Sequence, residues 1–228
     1  MNKKVFLTLD TDWVEDWILE DSLEIFTKKN LKATIFATNN SNFLNGLNKN
    51  NFEISLHPNF DFQSGKYNQN VISDLKKIYP NSVGMRSHTL LFGSTLIPEL
   101  EKANILYESN IFLYMHEKLK QVQRSKNLTS IPFNWSDDKH LELEKEFSLD
   151  ELPSLKQEGL NVFNFHPIHI FLNTDKYERY QEAKKYFNKP KISEFINKSS
   201  GIATLLDKLT DHIQNTGIQT GLLKELVL

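Results

Sequence analysis

The sequence has no cysteine, so no disulfide framework and no thiolate chemistry can operate. It is also poor in the residues that make linkers. Eight glycines and seven prolines are spread through 228 residues, with no Pro/Gly/Ser-rich stretch, low-complexity tract or internal repeat. One domain over residues 1–228 is therefore expected, long enough to bury a real core. Neither charge sign dominates, with 27 basic against 29 acidic residues. No basic tract offers a nucleic-acid footprint or a polybasic membrane patch. No apolar run is long enough to span a bilayer, so no transmembrane segment is expected. At the start, "MNKKVFLTLD" places Lys3 and Lys4 before a short apolar run that Asp10 and Asp12 interrupt, with no small-residue cleavage site after it. It reads as a first strand rather than a signal peptide, and the expected compartment is the cytoplasm.

Strand-like and helix-like segments alternate. "KVFLTLD", "KATIFAT", "FEISLH", "SVGMRSH", "ILYES" and "LNVFNFHPIHI" read as strands. "LTSIPFNW" reads as extended, with Pro132 marking an edge or bulge. "EDSLEIFTKKN", capped at Asp21 or Ser22, is a helix, as are "NVISDLKKIYP", "STLIPELEKAN", "SLDELPSLKQEG", "YERYQEAKKYFNK" and "GIATLLDKLTDHIQNTG". "IQTGLLKELV" supplies a closing strand and turn. Repeated strand–helix units imply parallel strands with crossover helices, in an open sheet or a barrel. In both arrangements chemistry gathers at the C-terminal strand ends.

Those ends carry the informative residues. "VFLTLDTDW" ends an apolar run in two acids. If the strand persists through Asp12, then Phe6, Thr8, Asp10 and Asp12 share one face. Two carboxylates so close repel unless a cation intervenes. Later strands end at His57, at Arg86 and His88, and at His166 and His169, and "NWSDDKH" brings Trp135, Asp137, Asp138 and His140. Asp and His together suit a zinc-type divalent ion with an open position for water. One carboxylate can then act as base and a histidine as acid.

The set resembles the polysaccharide deacetylase (NodB homology) superfamily of carbohydrate esterases. "HPNF", "RSH", "WSDD" and "FHPIHI" look most like its WbmS-like branch, associated with lipopolysaccharide or surface-glycan gene sets. The resemblance runs from Val5 to the C-terminus. It implies an irregular, seven-stranded (β/α) barrel. It also implies that Asp10 is the base, Asp12 and His57 are metal ligands, Arg86 braces Asp10, and Trp135 and Asp138 form the fourth motif. His166 is implied as general acid, with Asp138 keeping it protonated. The usual second motif has two histidines four apart, but here the second position is Asp61. A helical turn from Pro58 would set it beside His57. Asp61 is favoured as third ligand, with His88 the competitor and Asn59 a weaker one.

His169 orients His166 or stands in reserve, and Trp13 and Trp135 are candidate sugar platforms. Asp137 and His140 read as loop residues. The implied activity is metal-dependent, most simply zinc-dependent, removal of an N-acetyl or O-acetyl group from a sugar of a surface-glycan or lipopolysaccharide precursor. Two other readings stand beside it. Asp10 and Asp12 could be the Asp-any-Asp element of a glycosyltransferase, which leaves His57, Arg86 and His166 without roles. A non-catalytic glycan-binding module would have a degenerate metal site.

Overall fold

The structure, a computed structural model, describes residues 4–60, 70–156 and 158–228. Its strands are β1 (Lys4–Asp10), β2 (Ala33–Ala37), β3 (Phe52–Leu56), β4 (Gly84–Met85), β5 (Tyr107–Glu108), β6 (Val122–Gln123), β7 (Thr129–Ser130), β8 (Trp135–Ser136), β9 (Asn161–Phe165) and β10 (Gln219–Gly221). The helices are α1 (Asp16–Lys28), α2 (Asn42–Asn45), α3 (Val71–Ile78), α4 (Ile97–Lys102), α5 (Asp137–Glu142), α6 (Pro167–Leu172), α7 (Tyr177–Ala183) and α8 (Ile202–Thr216).

One curled sheet runs β6-β7-β5-β4-β3-β2-β1-β9-β8, and every pairing is parallel except β6 with β7. β7 pairs with β5 near one end and β8 with β9 at the other, yet both belong to the same extended segment, 129–136. That segment carries the sheet round into an irregular barrel. Counting it once, the wall has seven parallel strands: β1 to β5, the 129–136 segment and β9. Pro132 sits where the segment changes partner, a place where a missing N–H costs no ladder bond. β10 pairs with the start of β1, below the point where β2 joins it.

Strand alternation sorts β1 onto two cores. Val5, Leu7 and Leu9 pack in the layer between sheet and helices. Phe6 packs with Phe36, Tyr107, Ile131, Phe133 and Val162 in a second cluster inside the barrel. The helices cover the outside with apolar stripes at helical spacing. In α1 these are Ile18, Leu19, Leu23 and Phe26, and in α8 they are Ile202, Leu205, Leu206, Leu209 and Ile213.

Three local expectations are corrected. α1 begins at Asp16, so Asp21 and Ser22 lie inside it, and Ser22 Oγ donates to the Pro167 carbonyl of α6 at 2.8 Å. Pro153 interrupts the expected "SLDELPSLKQEG" helix, and its described residues form only the 3-10 turn Leu149–Glu151. The last long strand stops at Phe165. Pro167 takes the first position of α6, where its fixed φ suits a helix and its absent N–H is not needed.

Candidate active site

The C-terminal strand ends meet at one mouth of the barrel, in a cleft of about 440 Å³ lined by Asp10, Asp12, His57, His88, Asp138, Asn164 and His166 among others. β1 delivers Asp10, β3 leads into His57, β4 into Arg86 and His88, and β9 into His166.

Asp10 is buried and points into the barrel, as the Phe6/Thr8/Asp10 alternation requires. Its Oδ1 accepts from Arg86 Nη1 at 3.0 Å and its Oδ2 from Asn164 Nδ2 at 2.9 Å. Arg86 is fully buried. Its guanidinium lies between the Phe36 and Phe133 rings, 4.4 and 4.3 Å from their centres. Nε and Nη2 donate to the Ser109 carbonyl and hydroxyl, both at 2.9 Å. Nη1 also meets Thr8 Oγ1 at 3.0 Å and Asn164 Oδ1. Burial pulls its pKa down while Asp10 pushes it back. Arginine's ordinary value is high enough for the cation to survive.

Asp12 does not continue the strand. β1 ends at Asp10, and Asp12 and Trp13 follow with φ of 43° and 61°, a left-handed turn that costs non-glycine residues about 1–3 kcal/mol each. Thr11 and Thr38 pin that turn. Their hydroxyls are 3.0 Å apart, and Trp13 N donates to Thr38 Oγ1 at 3.0 Å. The turn returns the Asp12 carboxylate to the mouth. There Oδ1 lies 3.2 Å from His57 Nε2 and 3.1 Å from His88 Nδ1. Burial works against this carboxylate, but hydrogen bonds to His57 and His88 and the charge of His166 hold its pKa well below the ordinary range.

Asp12, His57 and His88 together could hold a metal ion. The donor set, one carboxylate oxygen and two imidazole nitrogens, matches a catalytic zinc-type site. Ligand distances of about 2.0–2.2 Å in a tetrahedron put neighbouring donors about 3.4 Å apart, close to the spacing seen. Among the described residues, buried His57 Nδ1 has no hydrogen-bond partner. The favoured third ligand, Asp61, lies outside the described residues. Its competitor His88 stands beside Asp12, and Asn59 is half-buried two residues past His57.

Across the mouth, His166 ends β9. Its Nδ1 is 2.6 Å from Asp137 Oδ1, and its backbone N–H donates to Asp137 Oδ2 at 2.6 Å. Its Nε2 faces the cleft, 3.9 Å from Asp12 Oδ2 and 4.0 Å from Asp10 Oδ2. Burial disfavours the His166 cation, but Asp138, Asp137 and Asp12 outweigh it and hold the pKa well above the ordinary value. Asp138 is exposed and lies 3.5 Å from His166 Nε2 and 3.0 Å from His169 Nε2.

Asp137 is fully buried at the start of α5, not in a loop, and its carboxylate is the one hydrogen-bonded to the His166 ring. Sequence reasoning passed over it, and over Asn164, although Asn164 lies two residues before His166 and must share its face. His140 is also buried on α5, against Trp135 and Phe147. Trp135 has no exposed surface. It packs on Phe163, Phe165 and His140, so its ring supports β9 and α5 from beneath and does not line the cleft. Trp13 is exposed and meets the His88 ring in a T-shaped contact, with ring centres 4.9 Å apart.

A family model described as WbmS-like polysaccharide deacetylase matches residues 7–184. The chain belongs to the WbmS-like polysaccharide deacetylase family. No curated protein matches the sequence significantly. Among solved structures, the WbmS-like chain is similar to a Bordetella bronchiseptica protein assigned as a polysaccharide deacetylase involved in O-antigen biosynthesis. The TM-score is 0.85 and the identity 26%, over 92% of this chain and 91% of that one. A peptidoglycan N-acetylglucosamine deacetylase, Bc1960, shares the fold at a TM-score of 0.56 and 12% identity, over 98% of this chain and 87% of that one. The 4-alpha-glucanotransferase of Thermococcus litoralis shares it at 0.54 and 14%, over 99% of this chain but 40% of its own. Membership of this family supports a carbohydrate deacetylase.

Proposed function

We propose that this protein is a metal-dependent hydrolase that removes an N-acetyl or O-acetyl group from a sugar of a surface-glycan or lipopolysaccharide precursor. The observation that carries the reading is one mouth with two chemical sides. The braced carboxylate of Asp10 and the Asp12–His57–His88 group form one, and the Asp137–His166 pair forms the other. A divalent ion, zinc by donor type, held by Asp12, His57 and His88 would lower the pKa of a water and polarise the acetyl carbonyl. Asp10 accepts the proton that the attacking water loses. Arg86 and Asn164 fix both its oxygens, so the carboxylate stays aimed into the cleft.

As the carbon–nitrogen bond breaks, His166 gives its Nε2 proton to the departing amine, leaving acetate and the free amino sugar. Asp137 on Nδ1 sets the tautomer that presents Nε2–H to the cleft. Exposed Trp13 offers a flat apolar face for a sugar ring. The Bordetella relative, assigned to O-antigen biosynthesis, supports a surface-glycan substrate.

The test joins metal analysis to acetate release from N-acetylated sugars, sugar nucleotides and lipid-linked precursors. Asp12→Ala should lose the metal of the Asp12–His57–His88 group. Asp10→Asn should keep it and lose turnover. If Asp10→Asn empties the site, the two roles are reversed. An absolute requirement for a nucleotide sugar, without acetate release, would instead favour the glycosyltransferase reading.

A further inference from the structure

A second group of metal-type donors lies beside the first: Asp138, His166 and His169. The helical turn of α6 brings His169 back beside His166, with ring centres 5.8 Å apart. His169 Nε2 lies 3.0 Å from Asp138 Oδ1, and His166 Nε2 lies 3.5 Å from Asp138 Oδ2. The opposite ring nitrogens are already engaged. His166 Nδ1 meets Asp137 at 2.6 Å, and His169 Nδ1 meets Thr174 Oγ1 at 3.1 Å. An oxygen partner on the far nitrogen is the arrangement that orients metal-ligating histidines. Here it leaves two Nε2 atoms and a carboxylate converging on one point.

Both histidines are buried and held, whereas Asp138 is exposed. The group also lines a larger cleft of about 1390 Å³, which gives an ion a way in. Asp12 stands between the two groups. Its Oδ1 serves His57 and His88, and its Oδ2 faces His166 Nε2 at 3.9 Å.

We propose that Asp138, His166 and His169 form a second divalent-cation site of the zinc type, next to the Asp12–His57–His88 group, and that zinc filling it inhibits the enzyme. The donor set is again two imidazole nitrogens and a carboxylate oxygen. Inhibition, unlike binding, rests on the functional reading above. An ion on His166 Nε2 occupies the electron pair that would carry the donated proton.

Metal-free full-length protein dialysed against excess zinc should bind two zinc ions per chain by elemental analysis. His169→Gln and Asp138→Asn should each bind one, with melting by circular dichroism confirming that they fold. In His88→Ala, cobalt should still give visible absorption bands from the second site, and adding His169→Gln should remove them. One zinc in the wild type, or two in both second-site variants, would overturn the site. Acetate release should fall by about 10²-fold from stoichiometric to saturating zinc, the scale of losing a positioned acid. The same comparison in His169→Gln should show little fall. Two bound ions without inhibition would leave the site standing and overturn its inhibitory role, placing the proton donor elsewhere than His166. Failure of acetate release under every condition would count against the functional reading alone.

Discussion

At the scale of single residues, His166 is where position and protonation meet. Its ring is clamped by a fully buried carboxylate and looks across the mouth at two more. His166→Ala should cut turnover about 10²–10⁴-fold while keeping the first equivalent of metal. A substrate whose leaving group needs no proton should be cleaved nearly as well by this variant as by wild type. Asp137→Asn removes one of the charges that raise the His166 pKa, so the alkaline limb of the pH–rate profile should move to lower pH. The sign for stability follows the same logic. The folded pKa lies above the unfolded value of about 6.5, so the ion pairs contribute fully below that pH and are lost as pH rises through the raised folded value. In chelator, the urea midpoint of wild type should therefore fall between about pH 6 and pH 9, and that of Asp137→Asn should fall less. A wild-type midpoint that stays level across that window would contradict the assignment.

At the scale of elements, the barrel interior depends on one missing side chain. Gly84 opens β4, and a Cβ there would collide with the Tyr107 ring. Tyr107 is fully buried, and its hydroxyl lies 2.8 Å from both Glu53 Oε1 and Ser55 Oγ. This polar layer occupies the barrel beneath the Arg86 layer, so neither ring nor strand can yield cheaply. Gly84→Ala should cost about 1–3 kcal/mol, the usual range for overpacking. Urea denaturation should show a lower midpoint at unchanged slope. A variant as stable as wild type would mean that β4 shifts freely. The turn after β1 works in the other direction. It stores backbone strain at Asp12 and Trp13, and the Thr11–Thr38 pair holds it, so that a residue beyond the strand still reaches the strand-end chemistry.

At the scale of the whole molecule, Asp12, His57 and His88 follow three different strands, β1, β3 and β4. An ion shared among them binds the folded chain and not the unfolded one. Zinc at about 100 times its Kd should raise stability by about 2.7 kcal/mol. A thermal or chemical midpoint should rise with zinc and fall back with chelator. Asp12→Ala should give the same midpoint with one equivalent of zinc as with chelator, because the tighter first group has lost a ligand. A wild-type midpoint indifferent to zinc would remove the metal from the first group. Among the described residues no helix is long and apolar enough to cross a membrane.

The sequence by itself determined what local periodicity can determine. Alternation divides β1 into Val5, Leu7 and Leu9 on one side and Phe6, Thr8 and Asp10 on the other. Strand–helix repetition implies parallel strands with their polar ends at one rim, because each crossover returns the chain to the same edge. Tertiary structure decided which of those ends touch. Barrel closure through 129–136 clamps Arg86 between Phe36 and Phe133, residues on separate strands. Of two adjacent acids, the start of α5 buries Asp137 against His166 and leaves Asp138 exposed beside His169. A left-handed turn at Asp12 and a helical turn after His166 lie outside any two-residue period, so strand alternation could not place Asp12 or His169. The physical reason is range. Periodicity reports which face a side chain takes within its own element, whereas strand register and sheet curvature set the distance between side chains on different elements.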